Sequence, residues 1–264
     1  MTGPSSGATG TLAPGIEDEA IWQRLECGAY TADIGLWRSL VADACADGDR
    51  CALLELGCGV GRVSLALAGD GCRVTALDSD PALVDALRKS ARATSVPIET
   101  LEGDVREFSL HKRFDLVIAP MQLVQLLRSS AERRSMFGCV TLHLKSSGHA
   151  AFALLDPEEH WEAAEDCAPV PDVCKVGEHT FSSQPTAVRV VDGDSAIELD
   201  RLRRVVGPDG SQHEAMSRMR LELLPLAEVR AEAAQAGLRQ HALHQIPATD
   251  MHMGSTVIVF EPDA

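Results

Sequence analysis

The sequence has no C-x-x-C pair among its eight cysteines, no run rich in lysine or arginine, and no apolar stretch near the roughly 20 residues that span a bilayer. Each absence excludes something. Without close cysteine pairs a zinc ribbon has no basis, and Cys167 and Cys174, with a six-residue gap and no partners, do not make a metal pair; no residue is assigned to a metal. The thiols are read as small, reduced core residues, no charged-then-apolar signal segment opens the sequence, and the expectation is a cytoplasmic protein without membrane contact. Lysine and arginine together number 24 against 39 acids, a formal net charge of −15. That sign opposes phosphate binding and argues against DNA or RNA as substrate. What the sequence has in quantity is apolar: 45% of its 264 residues are hydrophobic, enough for a sizeable core without disulfide or metal staples.

The densest signal is at residues 51–62, CALLELGCGVGR. An apolar run through Leu53 and Leu54 ends in Glu55 and breaks into Gly57, Gly59 and Gly61 before a new apolar pattern starts at Val63. The pattern is strand, tight turn, helix. Glycines allow positive φ in the turn and let a ligand approach bare backbone, while amides at the start of the next helix point at that ligand. By itself the stretch specifies a nucleotide-like cofactor. A dinucleotide turn, G-x-G-x-x-G, would need its third glycine where this chain has Arg62.

Three further segments follow in order. A run from Arg73 ends in Asp78, then comes Gly103-Asp104-Val105-Arg106, then Phe114-Asp115-Leu116-Val117-Ile118-Ala119-Pro120. With the G-x-G-x-G turn and its upstream acid, they resemble the motifs of class I S-adenosylmethionine-dependent methyltransferases over roughly residues 50–155. The resemblance implies S-adenosylmethionine as cofactor and S-adenosylhomocysteine as product. It puts Glu55, Gly57, Cys58, Gly59 and Gly61 in the cofactor cradle, Asp78 with Ser79 at the ribose hydroxyls, Asp104 and Val105 at the adenine, and Ala119 and Met121 facing the sulfonium. Tyr30, the single tyrosine, lies in Tyr30-Thr31-Ala32-Asp33, similar to a Y-x-x-D element of small-molecule methyltransferases whose tyrosine closes over the methionine end of the cofactor; packing on the sheet is its other reading.

Periodicity organises the rest. Residues 1–15, rich in Gly, Ser, Thr and Pro, are expected to be a disordered tail. Residues 16–155 are expected to form the α/β core, with two N-terminal helices carrying Ile21 and Leu25, then Ile34, Trp37, Leu40, Val41 and Ala44. Strands are expected near 51–56, 72–77, 97–102, 113–119 and 149–155, with helices near 61–69, 80–93 and 131–145. Resemblance, not pattern, supplies the Rossmann-like order 3-2-1-4-5-7-6 with strand 7 antiparallel. In residues 156–224, three alternating segments separated by glycine turns read as an inserted antiparallel β lid or, alternatively, a structural edge sheet. Residues 225–264 return to the core as a helix closed by Gly237 and a terminal hairpin.

Methyl transfer from a sulfonium asks the protein mainly to position a nucleophile and exclude water, so no fixed catalytic residue type is demanded. Sugar N-methyltransferases carry a histidine shortly after the fourth motif; here that position is Leu126. The substitutes are Gln122 and Gln125, which orient but do not deprotonate, and His241, His244 or His252. Strand alternation puts 241 and 244 on opposite faces. His252, in the loop 246–254, is taken as the base, with Tyr30 and Gln122 beside it. His143 and His149 are set aside as remote. The expected function is methyl transfer to nitrogen, or oxygen, of a small secondary-metabolite acceptor by a monomer or homodimer. Alternatives are a non-methylating cyclisation or elimination on the same cofactor, a non-catalytic partner subunit, or a NAD-dependent oxidoreductase.

Overall fold

A computed structural model of the chain describes residues 18–45, 50–155, 170–193, 195–249 and 252–263. The expected tail at 1–15, the polar stretch 156–169 with Cys167, and Met251 lie outside the described residues. Two helices, α1 (Glu19–Cys27) and α2 (Ile34–Ala44), precede the alternating run β1 (Ala52–Leu56), α3 (Arg62–Gly69), β2 (Arg73–Asp78), α4 (Pro81–Ala93), β3 (Ile98–Glu102) and β4 (Phe114–Ala119). Next come the single turn α5 (Leu123–Leu126), α6 (Ser130–His143) and β5 (Leu144–Leu154). Four strands follow, β6 (Asp172–Val176), β7 (His179–Val191), β8 (Ala196–Val206) and β9 (Gln212–Glu222). The chain then closes with α7 (Leu226–Gln235), β10 (Leu238–Ile246) and β11 (Ser255–Pro262).

Seven strands form one sheet in the order β3-β2-β1-β4-β5-β11-β10, parallel from β3 to β5, with β11 antiparallel to both neighbours. This is the expected 3-2-1-4-5-7-6 order. Helices cover both faces, so the central strands are apolar on both sides: Leu53, Leu54 and Leu56 of β1 and Leu116, Val117 and Ile118 of β4 are fully buried. Leu54, Leu56 and Val117 pack with Phe137 and Val140 of α6 and Val229 of α7, while Leu53, Leu116 and Ile118 pack with Trp37 of α2 and Val63 of α3. Each such side chain stabilises the fold by about 1.5–3 kcal/mol relative to exposure. Local signals set the helix starts: Asp80 accepts the Ala82 amide at 2.8 Å ahead of Pro81, and Ser129 with Glu132 forms a capping box. Gly237, at φ 81°, ends α7.

Several expectations are corrected. Strand β5 starts at Leu144 rather than 149, and α6 stops at His143. The polar run Lys145-Ser146-Ser147-Gly148 masked the strand start; its register against β4 shifts between Phe114 and Leu116, where a Cβ on Gly148 would meet the Phe114 carbonyl. In α1 the buried positions are Ala20 and Trp22, with Ile21 and Leu25 only partly buried. The second sheet has four antiparallel strands, not three, in the order β6-β7-β8-β9. No helix among the described residues is long and apolar enough to cross a membrane.

Candidate functional site

The carboxyl ends of β1, β2, β3 and β4 converge where strand order reverses between β1 and β4, the place where open parallel sheets hold ligands. The turn after β1 is tied to the end of β2. Cys58 N–H donates to the Leu77 carbonyl at 3.1 Å, and Gly59 N–H donates to Asp78 Oδ2 at 2.8 Å. Asp78 Oδ1 accepts the Asp80 amide at 3.0 Å. Each oxygen has thus accepted one backbone donor and keeps a lone pair for another. Gly57, Gly59 and Gly61 all have positive φ, and each is crowded: a Cβ would meet Leu123, Gln23 and Leu87 respectively. Cys58 is a buried thiol whose pKa burial drives upward, so it packs rather than reacts.

Gln23 is a residue that the sequence reading missed. From α1 its side chain covers Gly59, and its Oε1 accepts the Val60 amide at 2.7 Å. Glu55, behind the turn, is 2% exposed and hydrogen-bonded by Ser64 Oγ; burial pushes its carboxyl up to about 8.

The structure brings Tyr30 and His252, 222 positions apart, into ring contact, with centroids 4.5 Å apart and planes 32° apart. What fixes Tyr30 is Arg62, the residue that stood where a dinucleotide turn needs glycine. Its guanidinium carbon lies 5.0 Å from the Tyr30 ring centroid, and its Nη1 donates to the Tyr30 carbonyl at 2.9 Å. The same guanidinium grips buried Asp33 at 2.5 and 2.7 Å, and Asp33 also accepts Trp37 Nε1 at 2.8 Å. The Tyr30-x-x-Asp33 element was legible; that Asp33 serves Arg62 was not, because pairing across 29 residues leaves no local pattern. Burial raises the pKa of Tyr30 and lowers that of His252. At neutral pH the phenol is therefore a donor and the imidazole an available acceptor.

Beyond β4 the chain turns through Met121 and Gln122, two successive non-glycine residues at φ 58° and 60°. Strain of this kind is held at functional corners. Gln122 Nε2 donates to Ser255 Oγ at 2.9 Å, tying the corner to β11 next to the loop of His252. After β3 Asp104 is paired with Arg106 at 2.5 Å, and Arg106 also reaches Glu132. Val105 is buried there, and Ser79 is exposed after β2.

Two readings fail. Gln125 is fully buried: its Oε1 accepts the Leu155 amide at 2.7 Å and its Nε2 donates to the Glu222 carbonyl at 3.0 Å, so it joins α5 to the second sheet and orients no ligand. His241 does not obey simple alternation, because β10 slips register between Gln240 and Ala242; it faces His149 and Glu261 instead.

The residues fit S-adenosylmethionine on two observations. Asp78, almost buried at the end of β2, keeps acceptor capacity for ribose hydroxyls. The Val60 amide, at the open start of α3, is met by a side-chain oxygen from Gln23 where a ligand carboxylate would lie. Sheet order and crevice together define a class I methyltransferase fold, and a solved sugar N-methyltransferase, KedS8 from Streptoalloteichus sp, has it too: TM-score 0.69 at 19% identity, covering 98% of each chain. Residues 53–148 match the family described as "Methyltransferase domain". Among curated proteins, the cypemycin N-terminal methyltransferase of Streptomyces sp is 33% identical over 118 residues, 45% of this chain and 47% of that one. The carboxy-S-adenosyl-L-methionine synthase of Salmonella arizonae is 27% identical over 158 residues, 58% and 57%. The chain thus spans about half the length of the curated relatives it matches.

Proposed function

We propose that this protein transfers a methyl group from S-adenosylmethionine to nitrogen, in preference to oxygen, of a small secondary-metabolite acceptor. The observation that carries the reading is the Tyr30–His252 ring contact, held by Arg62 at the start of the helix that follows the glycine turn. When bound, the cofactor supplies a methyl already activated on a sulfonium. The chain's own residues then position the acceptor and exclude water. His252, neutral because burial lowers its pKa, takes the proton of an acceptor that arrives protonated. Tyr30 donates from its hydroxyl, and Gln122, fixed on Ser255, orients. Asp78 and Ser79 serve the ribose, Asp104 and Val105 the adenine, and Met121 the sulfonium end. We read the second sheet as a lid over the acceptor, since Asp172 of β6 and Arg201 of β8 both act electrostatically on His252. Nitrogen is favoured by the names of two relatives, an N-terminal methyltransferase and a sugar N-methyltransferase.

The test is product analysis after incubation with S-adenosylmethionine and panels of amines, phenols and carboxylates. S-adenosylhomocysteine with a methylated amine is the expected outcome, and His252→Asn should then lower kcat about 100-fold with little change in cofactor KM. The carboxy-S-adenosyl-L-methionine synthase match favours a second reading, chemistry on the cofactor itself. That reading predicts a modified cofactor and no S-adenosylhomocysteine.

A further inference from the structure

At the end of the seven-stranded sheet away from the glycine turn, three adjacent strands bring two histidines and a carboxylate together. β11 lies between β5 and β10. Phe260 of β11 pairs with Ala150, which puts Glu261 next to His149 on β5. On the other side Glu261 pairs with Arg239, and the slip in register at 240–242 turns His241 toward His149, with ring centroids 4.6 Å apart. Glu261 sits between the rings: Oε1 is 3.4 Å from His241 Nδ1, and Oε2 is 4.0 Å from His149 Nε2. One ligand atom from each of the three residues lies within 4.8 Å of the others.

A tetrahedral zinc site with bonds of about 2.0–2.1 Å needs donors about 3.4 Å apart. One pair already has that spacing, and the ligand atoms of all three residues lie within 4.8 Å of one another. We propose that His149, His241 and Glu261 bind a divalent transition-metal ion of the zinc type, with water completing the shell. Two imidazoles and one carboxylate are the ligand set such ions select over magnesium or calcium. Two charged neighbours bear on the site. Arg239 Nη2 lies 2.7 Å from Glu261 Oε1, and it must swing away when a cation enters; its side chain is 56% exposed, so the pair is a weak one. Asp43 of α2 acts on His149 with the sign that favours a cation.

The site is separate from the cofactor crevice. β5 runs from His149 on to Leu154 at the crevice end, roughly 16 Å at about 3.3 Å per residue. The ion would brace the terminal hairpin against β5 at one end, while the loop joining β10 and β11 presents His252 at the other.

The experiment titrates chelator-treated full-length protein with zinc chloride against a chromophoric zinc chelator and follows the melting temperature in parallel. One ion bound per chain with a rise in melting temperature is expected at pH 7.5, and loss of both at pH 5.5 as the imidazoles protonate. His149→Ala and His241→Asn should each weaken binding at least about tenfold, whereas Arg239→Ala should tighten it. An ion held equally well by the double variant His149→Ala/His241→Asn sits elsewhere, Cys45, Cys51 and Asp115 being another cluster, and overturns the proposal. No binding at micromolar zinc overturns it as well.

Discussion

The two sheets of this molecule are held by opposite kinds of force. The seven-stranded sheet is a sandwich of buried aliphatic and aromatic side chains. Among the described residues the four-stranded sheet has small apolar contacts, Phe181 and Val205 against Trp22, and Ile197 and Leu221 against Leu155. Its strands are laced by arginine and acid instead: Arg201 with Asp172, Arg218 and Arg189 with Asp200, Arg204 with Glu214, Arg220 with Asp192 and Glu222. Exposed ion pairs are screened by salt, whereas apolar burial is not weakened by screening. The difference teaches that the seven-stranded sheet, the core, depends on packing and the four-stranded sheet, which we read as its cover, depends on charge pairing.

Helix α1 belongs to both. Ala20 packs with Leu83 and Ala86 of the core, and Arg24 donates to the Ala86 carbonyl at 3.3 Å. On the other side Arg203 of β8 binds Glu19 and Glu26 and lies 5.3 Å from the Trp22 ring. The helix that carries Gln23 over the glycine turn is therefore gripped by the cover. The sheets also respond to pH with opposite signs. Glu55, raised by burial, costs the core stability as pH rises above its ordinary value, because only the unfolded chain ionises freely. Asp200, lowered to about 2 by hydrogen bonds from Arg218 and Arg189, supports the cover above its ordinary value and loses that support as pH falls toward 2. Those arginines, rather than packed interior, are what cover it.

The contrast breaks most sharply at Asp33. Asp33→Ala leaves the Arg62 guanidinium buried and unpaired, and a loss of about 3–5 kcal/mol in denaturant unfolding is expected. A value near that of an exposed pair would show that the core side is no stiffer than the cover. Next is Glu55→Gln. Wild-type stability should fall between about pH 5 and pH 8 with a slope approaching 1.4 kcal/mol per pH unit, and the variant should flatten that slope. A slope that survives the substitution would place the titrating group elsewhere. The smallest effect is on the cover: Arg203→Met should cost about 1–2 kcal/mol, between exposed and buried ion pairs. It should also speed hydrogen exchange in α1 and β7, and 0.5 M salt should do the same to wild type while β1 and β4 stay protected. Equal changes in both sheets would dissolve the distinction.

Much of the core was legible because its strands are apolar on both faces and its turns are marked by Gly, Asp and Pro. β1 to β4 lie within a residue of their expected bounds. Strand order came from resemblance, since periodicity says nothing of neighbours. The cover was harder: β6, a strand of five residues that follows a proline-containing polar stretch, has too little alternation to stand out. Tyr30 stood out by its motif and His252 by its loop, but their contact depends on the hairpin returning to the sheet. Gln23, Arg203 and Glu26 act across 37 to 184 positions and carry no local signal. Gln125 misled for the converse reason: a polar side chain next to a motif reads as reaching for a ligand, and only the fold shows it filled by backbone partners.

The oxygen of Gln23 at the Val60 amide has a kinetic meaning. It is a ligand tethered to its own receptor, present at an effective concentration set by the short path through α1 rather than by the solution. Any anionic ligand for that amide competes with a partner that never diffuses away, and its apparent affinity scales with the fraction of time the amide is uncovered. Whatever loosens α1 from the four-stranded sheet raises that fraction, so the ion pairs of Arg203 with Glu19 and Glu26 bear on how open the amide is.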